Sequence, residues 1–79
     1  MIRLEKNSSR PDWREVEAVE IDGEQYPLVG EIKNSTNRTR MVELIKTSGN
    51  REVELVWVNG GTAWKLSQVT IITRNVKFG

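Results

Sequence analysis

Residues 51–72 read REVELVWVNGGTAWKLSQVTII, and this stretch decides the fold. Apolar residues alternate up to Asn59-Gly60-Gly61, and a second apolar run leads away from that point. Asn-Gly between two such runs is a strong hairpin signal, because a tight primed turn needs positive φ at both central residues. With a two-residue Asn59-Gly60 turn, Leu55 faces Trp64, Val53 faces Leu66, and Trp57 lies diagonal to Trp64. One face is then uniformly large and apolar, and Val53, Leu55, Trp57, Trp64 and Leu66 are the expected core. A three-residue loop would set Trp64 against Val56 and split the tryptophans between faces, which a buried face does not tolerate. On the two-residue register Val56 and Val58 point outward, and Lys65 points outward opposite Glu54.

The rest of the chain reads as further short strands. Residues 1–12 are a strand start or a loose arm, and residues 9–15 hold one helical turn with a cap near Ser9 and Pro11 early. In residues 15–21 the apolar spacing slips by one at Ala18, as a β-bulge would make it. Asp22-Gly23 is a second turn signal. Residues 26–32 follow as a strand, which Pro27 places at an edge. Residues 33–40 (KNSTNRTR) have no apolar side chain and read as a loop. Residues 41–45 are a strand, residues 47–50 a turn, residues 69–73 a strand, and residues 76–78 close the chain. Five or six short strands at this spacing predict one all-β domain over residues 1–79, a small antiparallel barrel or roll.

Seventy-nine residues make one small domain, which buries only about 60% of the surface its unfolded chain exposes. There is no cysteine and no histidine. That excludes disulfides, zinc–thiolate sites and the Ser-His-Asp and Cys-His nucleophilic systems. Self-association is one remaining way to stabilise so small a core. No run approaches the roughly 18 apolar residues of a membrane span. The N-terminal MIRLEKNSSRPDW lacks the apolar region of a signal peptide, so the expected setting is cytoplasmic. The sequons at Asn7, Asn34 and Asn37 are then products of polar segments rather than glycan acceptors.

Charge is unevenly placed, although the net value is only +1. Residues 1–32 hold four basic and eight acidic side chains, and residues 33–79 hold eight basic and three acidic. After Glu54 the charged residues are Lys65, Arg74 and Lys77, all basic. Either the two halves neutralise each other across one sheet, or the second half presents a basic patch to a polyanion.

The chemistry available is that of binding rather than catalysis. Glu15, Glu17 and Glu20 are close in sequence, but strands present such residues to solvent routinely. Residues 20–24 (EIDGE) lack the bidentate glutamate that closes a calcium loop. No catalytic residue, metal site or cofactor is therefore expected. Lys33, Arg38 and Arg40 lie among small polar donors suited to phosphate or carboxylate contact. Arg51, Arg74 and Lys77 would extend that surface if they share a side. A solvated polar loop is the plainer reading of residues 33–40. Trp13 and Tyr26 lie outside the core pattern; Trp13 is expected to plug an end of the barrel rather than to stack bases.

Two segments resemble the SH3-like and Sm-like small barrels. Val19-Glu20-Ile21-Asp22-Gly23 through Gly30-Glu31-Ile32 is similar to the Sm pattern of apolar strand, turn glycine and a second glycine in a bent strand. Ala63-Trp64-Lys65-Leu66-Ser67-Gln68-Val69-Thr70-Ile71-Ile72 is similar to the short strand, turn and final strand that end both folds. The resemblance implies an SH3-like barrel. It carries over no binding residues, because the Sm residues that read RNA bases have no counterparts in register within residues 33–40.

Two functions from different classes follow. One is a nucleic-acid-binding module using Lys33, Arg38, Arg40, Arg51, Arg74 and Lys77, dominated by phosphate contacts. The alternative is a protein-interaction module, a small regulator, inhibitor or assembly subunit. It would use surplus apolar residues (Met41, Ile45, Val56 and Val58) or an exposed sheet edge, with a protein partner or a homo-oligomer.

Overall fold

The computed structural model describes residues 1–61 and 63–73, with residue 31 described by its backbone only. Residues 76–78, expected to close the sheet, lie outside the described residues. The chain is all-β. Among the described residues there are six strands, β1 (Ile2–Arg3), β2 (Ala18–Ile21), β3 (Glu24–Thr36), β4 (Arg40–Thr47), β5 (Arg51–Asn59) and β6 (Trp64–Thr73), with a 3₁₀ turn at Trp13–Glu15. They form one sheet in sequential order, antiparallel except for the β1–β2 pair. Among the described residues no helix is long and apolar enough to cross a membrane.

The sheet is not closed into the expected barrel. β1 is only two residues long and pairs with β2, so it leaves β6 as the opposite edge of the order. The N-terminal segment spans the opening instead. Leu4 N–H donates to Glu20 O at 2.9 Å, Asn7 N–H to Leu66 O at 2.8 Å, and Leu66 N–H to Ser8 O at 2.9 Å. Residues 1–12 are therefore a strap rather than a loose arm, and Leu4 is 3% exposed. The helical turn falls in the expected place, but its cap is Asp12, whose side chain accepts the Arg14 N–H.

Turn chemistry explains which hairpins match expectation. Asp22 (φ 50°) and Gly23 (φ 85°) form a two-residue primed turn between Ile21 and Glu24. Gly49 (φ 78°) and Asn50 (φ 59°) turn the chain between Thr47 and Arg51. At the β5–β6 hairpin, neither Asn59 nor Gly60 takes positive φ. Asn59 stays in the strand opposite Trp64, and its side chain accepts the Gly61 N–H at 2.8 Å. Asn59 and Trp64 are the last pair before the chain reverses, so the two-residue turn is corrected to a wider connection. Trp57 now faces Leu66, and a register shift at Ser67 sets Val56 opposite Gln68 and Leu55 opposite Val69. The slip before the bulge is an even number of residues, so each side chain keeps its expected face. Val53, Leu55, Trp57 and Leu66 are buried as expected, and Trp64 packs half-buried against them.

Three other expectations are corrected. β3 runs in the middle of the sheet, not at an edge. Pro27 is tolerated because it sits where β3 leaves β2 and joins β4: Ala18 pairs with Pro27, and Leu28 pairs with Thr47. The slip at Ala18 is the start of β2 after the 3₁₀ turn, whereas the real irregularity in this half lies between Leu28 and Ile32. Residues 33–40 are mostly ladder: β3 continues to Thr36, and only residues 37–39 form the loop. Backbone pairing needs no apolar side chain, so hydrophobic periodicity is blind to a polar strand end.

Candidate functional site

The ladder sorts the outward side chains of β3–β6 into rows. The first row is Arg40, Val58 and Lys65. The second is Ser35, Val42, Val56 and Gln68, and the third is Lys33, Leu44, Glu54 and Thr70. Arg40 and Lys65 flank Val58 from the two neighbouring strands, about 10 Å apart at Cα given strand spacings near 4.8 Å. Arg38 is in the loop beside them. That loop is shaped by Asn37, whose side-chain oxygen accepts the Thr39 and Arg40 N–H groups at 3.1 and 2.8 Å. Asn59 N–H donates to Thr39 O at 3.0 Å and fixes the loop against β5. On the other side the strap adds Lys6, which lines a hollow of about 280 Å³ with Asn7, Val58 and Lys65. Lys65 Nζ donates to Ser9 Oγ at 3.0 Å, setting the ammonium at the strap's edge.

The first two rows contain no carboxylate, and this distinguishes the cations there from the others. Arg3, Arg10, Arg14 and Arg51 each pair with an acidic residue, at 2.7, 2.8, 3.0 and 3.9 Å. Among the described residues Lys6, Lys33, Arg38, Arg40, Lys46 and Lys65 form no ion pair, and of these only Lys46 lies at the opposite end of the sheet. The described cations thus divide into those with an acidic partner and those without, and of the first group only Arg10 reaches a buried carboxylate.

The basic residues expected at the site are only partly brought together. Lys33, Arg38 and Arg40 share one end of the sheet. Arg51 is at the other, where β4 turns into β5; its guanidinium lies 5.9 Å over the Tyr26 ring and near Glu24. A larger hollow of about 380 Å³ is at that end, lined by Val29, Lys46 and residues 47–52. Of its two cations, Arg51 is already engaged, and Lys46 stands alone rather than in a row of cations. Arg74 and Lys77 lie outside the described residues. Lys65 joins the site because the true register sets it opposite Val58 instead of Glu54.

The expected apolar surface is corrected more heavily. Met41 and Ile45 are 7% and 0% exposed, facing the core from β4. Val56 does lie on the outer face, but its neighbours Val42 and Gln68 flank it and it is 6% exposed. Of these four residues only Val58, at 43%, is exposed.

Beneath the basic end lies a polar cluster that the sequence reading missed. Glu43 is fully buried on the inner face of β4, between Met41 and Ile45. Arg10, reaching in from the strap, donates Nε and Nη2 to its two oxygens, both at 2.8 Å. Trp13 Nε1 and Asn34 Nδ2 add hydrogen bonds at 3.1 Å each. Burial pushes the Glu43 carboxyl up; the hydrogen bonds from Arg10, Asn34 and Trp13 outweigh it and leave the group below the ordinary carboxylate range. Trp13 packs half-buried against the core at this end of the sheet. The available signal was parity, since Glu43 shares the face of Met41 and Ile45.

No family model matches the chain, and neither a curated protein nor a solved structure matches it.

Proposed function

We propose that this protein is a non-enzymatic, cytoplasmic binding module for nucleic acid, built on a bent sheet of the SH3-like or Sm-like kind. The observation that carries the reading is the row Arg40–Val58–Lys65 with Lys6 and Arg38 beside it. These cations have no carboxylate partner among the described residues and share one end of one face. Such a surface offers phosphate contacts and little that reads a base edge, so it favours backbone recognition over sequence recognition.

The test is fluorescence anisotropy of labelled oligonucleotides titrated with the protein at several salt concentrations. Affinity should fall steeply with salt, as release of phosphate counterions requires. Reversing both Arg40 and Lys65 to glutamate should weaken binding at least tenfold and flatten the log–log salt slope by about 2, close to 0.9 per lost phosphate contact. Arg51→Ala should leave binding unchanged. Affinity insensitive to salt, or to the double reversal, would overturn the reading.

A protein-interaction module remains as the second reading. It is favoured by exposed Val58 continuing into half-buried Val42 and Leu44 on the same outer face. Binding that survives high salt and is lost in Val58→Asp would support this reading against the first.

A further inference from the structure

We infer that the free edge of β6 is a dimerisation surface, on which a second copy of this chain adds its own β6 antiparallel about a two-fold axis at Thr70. β6 is last in the sheet order, and among the described residues the strap meets it only over Trp64–Leu66, with backbone bonds at Trp64 and Leu66 and the Ser9–Lys65 bridge between them. From Ser67 to Thr73, among the described residues, its backbone is paired only with β5. An edge of this length is a row of unpaired N–H and C=O groups, ready to template another strand.

The usual protections are missing from it. The segment SQVTIIT has no charge and no proline. Its one irregularity is the Ser67 bulge at the near end, and Ile71 is 37% exposed within it. Uncharged, β-branched runs of this kind pair readily with copies of themselves.

Self-complementarity selects a second copy as the occupant. Antiparallel pairing about Thr70 sets Val69 opposite the partner copy's Ile71 and Gln68 opposite its Ile72, with no like charges facing. Cross-strand pairs of branched side chains are the contacts that stabilise sheets. The antiparallel arrangement is isologous, so it closes at two copies rather than growing into a ladder. A chain of this size, with no disulfide to hold it, gains from the added burial.

The test is sedimentation equilibrium of nuclease-treated protein across a wide concentration range, combined with hydrogen exchange. The expected mass is twice that of the chain, falling to the single-chain mass in Ile71→Lys with an unchanged near-ultraviolet tryptophan spectrum. In the unmutated protein, amides of residues 67–73 should exchange faster on dilution while those of β4 do not. That second readout holds even if the variant misfolds. A single-chain mass at every concentration, assemblies larger than two, or a dimer whose 67–73 amides ignore dilution would each overturn the inference. Failure of nucleic-acid binding would leave it untouched.

Discussion

Replacing Arg10 with alanine isolates the polar cluster that anchors the strap. The Glu43 side chain is 1% exposed and that of Arg10 33%. Removing one partner of a buried ion pair costs about 3–5 kcal/mol, because the other charge is left without compensation. Two features reduce this figure: Trp13 and Asn34 still donate to Glu43, and water reaches Arg10. The expected loss is therefore about 2–3 kcal/mol, toward the range of hydrogen bonds to a charged group. That is a large share of the stability of a small domain, about 4–12 kcal/mol at 0.05–0.15 kcal/mol per residue. The pH dependence carries the stronger signature. In the native protein Glu43 titrates below its unfolded value, so its contribution is full above the unfolded pKa and disappears as pH falls through the folded one. Without Arg10, desolvation dominates, the folded pKa rises above the unfolded value, and protonation in acid relieves the penalty. The two stability curves should converge as pH drops. Urea unfolding followed by tryptophan fluorescence, near neutrality and in mild acid, measures both. A loss below about 1 kcal/mol, or one that persists unchanged in acid, would refute the reasoning.

The turns and the core give two further expectations. Gly23→Ala should cost about 1–2 kcal/mol, since φ of +85° strains any side chain there although its surroundings are open. Gly60→Ala should be within about 0.5 kcal/mol of neutral; a loss equal to that at Gly23 would restore the two-residue turn. Trp57→Phe should destabilise less than Leu66→Ala, itself expected at about 2–5 kcal/mol. The Trp57 Nε1 is buried with no partner among the described residues, so phenylalanine removes an uncompensated donor. A larger loss at Trp57 would mean that its indole has an acceptor.

The legible parts of this chain were those whose local chemistry permits one answer. Asp22-Gly23 and residues 47–50 turn because positive φ is needed there, and Asp, Gly and Asn supply it. The β5 core residues were legible because parity survives an even slip in register. What stayed hidden depends on contacts distant in sequence. Arg10 and Glu43 are 33 residues apart, and no local pattern links an arginine in a polar strap to a glutamate in an apolar strand. Residues 33–36 looked like loop because their partners are backbone groups of β4, to which side-chain periodicity is blind.

The candidate site depends on the one element where local signals misled. Asn59-Gly60 advertises a tight turn, which would pair Lys65 with Glu54 and remove it from any anion surface. The wider loop carries Lys65 four residues along β5 to face Val58, and the Ser67 bulge keeps the rest of β6 in register with the core. The same shift joins the functional reading to the inferred dimer. From Lys65 to Thr70 is five residues, so pairing about Thr70 separates the two Lys65 positions by about 34 Å at roughly 3.4 Å per residue. A two-fold axis perpendicular to the sheet leaves both basic rows on the same outer face. That separation is close to one turn of a DNA duplex, about 34–36 Å. Two rows that each hold phosphates weakly would then engage one duplex together, and linked contacts bind far more tightly than either alone. Pairing two copies doubles the row cations on one face, with Glu54 of each copy, opposite Thr70 on that same face, lying between the two rows.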